Sequence, residues 1–211
     1  MDKYQETFDT WNKMAKKYED QFMDLELYND TYDIFCDTLE KPDASVLDVG
    51  CGPGNTSIYL LKRNPELKIT GLDVSQQMIK RAKHHLSMAT FQVMDCRELH
   101  LLNKKYEGII CGFVLPYLSL MDCRKLFSDC SQLLETNGAL YLSFVPATSQ
   151  LSKILTGENG ERMHFYYHTI ENIKQKLESN QFRNFQIYHK VYQKRDQNKE
   201  IHTVIIAKKR D

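Results

Sequence analysis

The feature that most restricts how this chain folds is a strand that ends in three alternating glycines and restarts as a helix. Residues 46–49 are apolar except for Asp48; Gly50, Gly52 and Gly54 follow at every second position, and Asn55, Thr56 and Ser57 open a helical stretch. Glycine reaches φ > 0 without strain and has no Cβ to hold a ligand away, so the segment reads as a loop that brings bare backbone against a small molecule. Asp48 narrows the choice of ligand. Its carboxylate would repel a pyrophosphate set against the helix N-terminus and would attract a cationic amine such as that of a methionine moiety.

The surrounding pattern is that of one α/β domain. With 211 residues the chain can build a full core but not two ordinary domains. Phe8, Trp11, Met14, Ala15, Tyr18 and Phe22 share one helical stripe, and Tyr32, Phe35, Cys36 and Leu39 mark a second helix. Lys41-Pro42-Asp43 stops this pattern. Short apolar runs follow at 45–49, 68–72, 90–94, 106–111 and 139–144, with helices expected at 56–63, 75–86 and 122–135. Strand alternating with helix predicts a parallel sheet with right-handed crossovers. A helix over 169–179 then leads to two runs, 185–192 and 201–207, separated by a polar stretch, which reads as a hairpin that ends the sheet antiparallel. The chain thus divides into a helical cap over 1–40, a ligand-binding core over 41–147 and a substrate-side insert with the terminal hairpin over 148–211.

Lys and Arg together number 28, as do Asp and Glu, so no net charge favours a polyanion, and no nucleic-acid partner is expected. The one basic cluster, Lys208-Lys209-Arg210, reads as a solvated tail. No apolar run approaches the roughly 18 residues that span a bilayer, and the first residues lack a signal-peptide core. A soluble cytoplasmic protein, monomer or homodimer, is expected. The six cysteines form no C-x-x-C pair and have no histidine at zinc-finger spacing, so neither disulfides nor a metal is indicated.

Three further strand ends give the glycine loop its meaning. Asp73 closes the second strand 21 residues after Gly52, where an acid can accept both hydroxyls of a ribose. Asp95 closes the third, placed to accept from an adenine amine, with the Cys96 backbone N–H beside it. At the fourth, residues 109–117 supply a carbonyl at Gly112 and aromatic cover. All four lie at the carboxyl ends of parallel strands, where open α/β sheets bind ligands.

In these motifs the chain resembles the class I S-adenosylmethionine-dependent methyltransferases, in particular the small stand-alone members that act mostly on small molecules. Residues 46–57 match the first motif of that family, 71–75 the second, 94–96 the third and 109–118 the fourth. The resemblance implies a Rossmann-like seven-stranded mixed sheet of order 3-2-1-4-5-7-6 with strand 7 antiparallel, and S-adenosyl-L-methionine as cofactor. By position, Asp48, Gly50 and Gly52 would line the methionine end with Cys51 between them. Asp73, with Val74 next to it, would hold the ribose, and Met78 would cover the adenine face. Asp95 and Cys96 would read the adenine edge, and the Gly112 carbonyl, followed by Phe113, would approach the amino group. Trp11 and Tyr18 resemble helix residues that close over the cofactor.

The acceptor side is less specified. Tyr117 follows the fourth motif and should face the methyl group. The insert carries Arg162, His164, Tyr166, Tyr167 and His168; His164 or His168 is a candidate proton acceptor, and Arg162 a candidate for an anionic substrate group. The alternation through 164–168 also fits a short strand. The reading that results is methyl transfer to a small molecule. A protein or RNA methyltransferase is the nearest rival, opposed by Gly112-Phe113-Val114-Leu115 where an N-P-P-Y-type tetrapeptide would stand. A non-catalytic S-adenosylmethionine-binding protein is another alternative. A dinucleotide-dependent oxidoreductase is disfavoured because the glycines recur every second residue instead of as G-x-G-x-x-G.

Overall fold

The computed structural model describes residues 3–157, 160–194 and 196–210. Two helices come first, α1 (Lys3–Phe22) and α2 (Asn29–Asp37). The alternating core is β1 (Ser45–Val49), α3 (Asn55–Arg63), β2 (Lys68–Asp73), α4 (Gln76–His85), β3 (Thr90–Val93), β4 (Tyr106–Gly112), α5 (Leu120–Leu133) and β5 (Leu134–Phe144). The remainder is β6 (Lys153–Thr156), β7 (Arg162–Phe165), α6 (Ile170–Glu178), β8 (Phe182–Gln193) and β9 (Lys199–Lys209). Seven strands form one sheet in the order β3-β2-β1-β4-β5-β9-β8. The first four pairings are parallel, and β9 runs antiparallel to both β5 and β8. Once β6 and β7 are left out of the count, this is the expected order.

The strands are apolar on both faces because helices cover both. Leu47, Val49, Ile109, Leu140, Leu142 and Ile205 pack against Leu126 and Phe127 of α5 and Ile173 and Leu177 of α6. On the other face Val46, Ile110, Tyr141 and Val204 meet Tyr32 and Phe35 of α2 and Leu60 of α3. Each fully buried side chain of this kind contributes roughly 1.5–3 kcal/mol through removal of apolar area from water. The helices start where capping chemistry allows: the Ser75, Ser119 and Thr169 hydroxyls accept from the N–H groups of Met78, Asp122 and Asn172 at 3.1–3.2 Å.

Three features depart from expectation. Helix α5 ends at Leu133 and β5 starts at once at Leu134, so the strand is five residues longer than its apolar run suggests. The insert forms a second, two-stranded sheet of β6 and β7, with Arg162 opposite Thr156 and Phe165 opposite Lys153. The terminal basic cluster is also more than a tail. Lys208 donates to the Thr38 and Asn137 carbonyls at 2.6 and 2.9 Å, and Lys209 donates to that of Leu134 at 2.7 Å, which ties β9 to its surroundings.

Helix α1 is anchored on several sides. Asn12 accepts from the Gln77 N–H at 3.0 Å at the start of α4, and Glu19 pairs with Arg81 and His85 of the same helix. The Thr10 hydroxyl donates to the Arg162 carbonyl of β7 at 2.6 Å, and Tyr4 donates to Asp122 of α5. Among the described residues, no helix is long and apolar enough to cross a membrane.

Candidate functional site

Two adjoining cavities open along the carboxyl edge of the sheet. Gly50, Gly112, Phe113, Tyr117, Trp11 and Tyr18 line both. The first cavity continues past Gly52, Asp73, Val74 and Met78 to Asp95 and Cys96. The second continues past Asp48 and Cys51 into a chamber walled by Phe22, Tyr28, Phe165 and Tyr192. Every residue expected from the motifs to meet the cofactor therefore lies on one cavity or the other.

The glycine loop is bare for a steric reason. Gly50 and Gly52 sit at φ +68° and +54°, a region that side chains rarely adopt. A Cβ at Gly50 would lie 2.6 Å from Cγ2 of Val114.

The two acids beside the loop lack a cation. Asp48 Oδ2 accepts from the Ser57 hydroxyl at 2.6 Å. The Asp73 carboxylate accepts from the Gly52 N–H at 2.9 Å and the Ser75 N–H at 2.8 Å. Among the described residues no Lys, Arg or His pairs with either. Burial pushes both up to about 6; the hydrogen bond from Ser57 at Asp48, and those from Ser75 and Gly52 at Asp73, oppose the rise. Such carboxylates fit a ligand that brings its own ammonium and its own hydroxyls. They repel a pyrophosphate.

Asp95 lines the first cavity but gives both oxygens to Arg97: Oδ1 to the backbone N–H at 2.9 Å and Oδ2 to Nε and Nη2 at 2.8 and 2.6 Å. The Arg97 guanidinium in turn lies 4.0 Å above the Tyr4 ring. Trp11 meets Tyr18 and Tyr117 edge to face, at centroid distances of 5.6 and 5.3 Å. Burial raises the phenols of Tyr18 and Tyr117 far above their usual value, so both stay neutral.

The insert residues stand elsewhere than expected. His168 is buried with Nε2 3.2 Å from the Leu115 carbonyl and 3.1 Å from that of Leu118. Carbonyls only accept, so Nε2 carries a proton and braces the turn that presents Tyr117. His164 lies on β7, where its backbone N–H donates to Thr7 at 3.2 Å and its ring stacks on Tyr166. Neither histidine lines a cavity. Arg162 pairs with Glu6 at 3.4 Å instead of facing a ligand. Tyr166 and Tyr167 are likewise absent from the cavity walls.

In their place the chamber holds residues that sequence reasoning passed over: Tyr28, Phe165, Tyr192, Glu200 and His202. One signal was available for two of them. Glu200 and His202 are two apart on a strand, which sets both side chains on one face. Among the described residues no group of three or more His, Cys, Asp or Glu side chains could hold a metal ion.

Comparison with known proteins agrees with this edge. A family model described as a methyltransferase domain matches residues 46–138. Demethylmenaquinone methyltransferase from Thermotoga maritima is 30% identical over 104 residues, 49% of this chain and 44% of that protein. Ubiquinone biosynthesis O-methyltransferase from Coxiella burnetii is 30% identical over 104 residues, 47% of this chain and 43% of that protein. The chain spans about half the length of the curated relatives it matches. Among solved structures, magnesium protoporphyrin IX methyltransferase from Synechocystis PCC 6803 with bound S-adenosylmethionine superposes with a TM-score of 0.70 at 21% identity, covering 99% of this chain and 98% of that one. A methyltransferase from Clostridium acetobutylicum gives a TM-score of 0.68 at 18% identity, covering 95% and 99%.

Proposed function

We propose that this chain is a class I S-adenosylmethionine-dependent methyltransferase and that it transfers a methyl group to a small-molecule acceptor by in-line displacement, a reading that the methyltransferase-domain match over residues 46–138 supports. The observation that carries the reading is the pair of carboxylates, buried Asp48 and half-buried Asp73, set without a cation among the described residues beside a bare glycine loop. When bound, S-adenosylmethionine supplies an electrophilic methyl group whose carrier departs as a neutral thioether. Asp48 would face the ammonium of the methionine end and Asp73 the ribose hydroxyls, with Met78 and Cys96 against the adenine. Gly112 would complete the methionine end.

The rest of the protein's task is to align the acceptor and exclude water. Alignment alone supplies up to about 7–11 kcal/mol in favourable systems. Trp11, Tyr18 and Tyr117 border both cavities and would close the passage between donor and acceptor. The second cavity, which takes in the methionine end as well as the acceptor chamber, spans about 980 Å³ with its open mouth counted. Its enclosure behind α1 and β7 favours a small acceptor over a protein or RNA chain. The names of the relatives point the same way, since demethylmenaquinone and ubiquinone precursors are small molecules. We place the enzyme in a reducing cytoplasm, where its six cysteines remain thiols, as a monomer or homodimer.

Calorimetry with S-adenosylmethionine, S-adenosylhomocysteine and NAD tests the reading. Both adenosyl ligands should bind and NAD should not; NAD binding in the absence of either adenosyl ligand would overturn it.

A further inference from the structure

The aromatic chamber carries a hydrogen-bonded chain of ionisable side chains that ends at a hydroxyl. Lys194 pairs with Glu200 Oε1, Glu200 Oε2 lies 3.0 Å from His202 Nε2, and His202 Nδ1 lies 2.5 Å from the Tyr28 hydroxyl. Tyr28, Glu200 and His202 all line the chamber. A carboxylate can only accept, so Nε2 carries the ring proton; Nδ1 then offers its lone pair and Tyr28 donates into it. This is the arrangement of an oriented base: an acid fixes the tautomer and the opposite nitrogen points at a hydroxyl.

The ring is also fixed by packing. It stacks on Tyr192 at 5.0 Å and 16° and meets Phe113 edge-on at 5.0 Å. Phe113 itself is held at φ +55°, where a non-glycine residue is strained, by N–H bonds to the Ser143 carbonyl at 3.0 Å and hydroxyl at 3.1 Å. That strained residue borders the cofactor cavity as well. The ionisable groups that face His202 are Tyr28 before α2, Tyr192 of β8, Lys194 just after it and Glu200 of β9. Burial lowers the imidazole from its ordinary value against the opposing pull of Glu200, which leaves it neutral at pH 7. Burial raises Glu200, but the hydrogen bonds from Lys194 and His202 and the charge of Lys194 outweigh it and keep the carboxylate ionised.

We propose that Tyr28, His202 and Glu200 form a proton relay for the methyl acceptor, and that this acceptor is a hydroxyl on an aromatic ring. The proposal rests on the methyltransferase reading above. In the step, the acceptor O–H bond breaks and its proton passes to the Tyr28 oxygen as the Tyr28 proton passes to His202 Nδ1. The freed oxygen pair forms the bond to the methyl carbon, and the methyl–sulfur bond breaks with its pair left on sulfur. The imidazolium that results is paired with Glu200 and later returns its proton to water. Tyr28 is the catalytic residue here, because it touches the acceptor; His202 and Glu200 act through it.

The walls select the ring. Phe22, Phe113, Phe165 and Tyr192 offer apolar faces to a planar acceptor. No Lys or Arg among the described residues lines the chamber, so a carboxylate acceptor would meet no lysine or arginine on its walls.

The test uses the whole chain, S-adenosylhomocysteine and para-nitrophenol, whose phenolate absorbs visible light. Failure to bind S-adenosylhomocysteine in calorimetry overturns the methyltransferase reading and the relay with it. In protein that binds it, para-nitrophenol should bind and show its phenolate band at a pH where the free phenol is neutral. The band should be lost in Glu200→Gln and in Tyr28→Phe while S-adenosylhomocysteine still binds, and Glu200→Asp should restore it in part. Absence of binding, binding as the neutral phenol, or a band unchanged in both variants would overturn the relay alone. Transfer of labelled methyl to benzoate or aniline, with no phenol accepted, would overturn the acceptor class.

Discussion

The donor edge and the acceptor chamber share a boundary but are built by different means. At the donor edge, Asp48, Gly50, Asp73, Asp95 and Gly112 all stand at or next to the carboxyl end of a parallel strand, and the register of β1 with β2 and β4 places them. Its acids are held by the Ser57 hydroxyl at Asp48, by backbone N–H groups at Asp73 and by Arg97 at Asp95. The acceptor chamber is assembled from the turn before α2, β4, β7, β8 and β9, and its defining contact, Tyr28 to His202, joins residues 174 apart. Its polar side chains hold one another, and aromatic rings do the rest. The difference teaches where each half gets its geometry: the first from the sheet, the second from the docking of separate segments. Acceptor preference can therefore change without disturbance of the donor site.

The most severe break is expected in the acceptor half. His202→Gln should lower methyl transfer by about 10²- to 10⁴-fold, the usual contribution of a positioned proton acceptor, with S-adenosylhomocysteine affinity in calorimetry little changed. An equal loss of affinity would mean that the two halves are one unit. In the donor half, Asp73→Asn should weaken S-adenosylhomocysteine by about 1.5–3 kcal/mol, the worth of a charge-assisted hydrogen bond, measured in the same titration. Unchanged affinity would remove Asp73 from the ribose. His168→Ala removes the ring donor shared by the buried Leu115 and Leu118 carbonyls, which leaves Leu115 to the Leu118 N–H and Leu118 to the weak Cys123 thiol, and should cost about 1–3 kcal/mol in urea denaturation. A turnover loss beyond that instability would return His168 to the chemistry.

The smallest effect is one of pH. Asp48 and Asp73 both ionise near 6 in the free protein, whereas carboxylates in an unfolded chain ionise near about 4. Between those values the folded chain binds more protons, so its stability should fall as pH rises through the window. Ligand affinity runs the opposite way: an ammonium requires the charged carboxylate, so S-adenosylhomocysteine should bind evenly above about pH 6 and lose up to about tenfold per unit below it. Asp48→Asn should flatten that slope, and a slope that survives would assign it to Asp73.

The same contrast explains what the sequence made legible. Strand period, glycine spacing and acids at strand ends are local, so the alternation of strand and helix and the residues along the carboxyl edge could be read directly, whereas the sheet order followed from the family resemblance. The insert was harder, because β6 is a short exposed strand and its partner β7 is fixed by α1, far away in sequence. His164 and His168 drew attention by composition alone, yet neither lines either of the two cavities. Tyr28 lies in a turn with no motif around it. Glu200 and His202 form an i, i+2 pair whose partner across the fold no spacing rule could supply. Asp95 shows a third case: its place at the strand end and its capping of the turn at Arg97-Glu98-Leu99 were legible, whereas the two bonds from the Arg97 side chain to Oδ2 were not.

Trp11 has a use that its role as a wall does not suggest. It is the one tryptophan in the chain, and it borders both cavities in edge contact with Tyr18 and Tyr117. Its fluorescence is therefore a built-in reporter, and the order in which donor and acceptor enter can be followed in a stopped-flow mixer without any label.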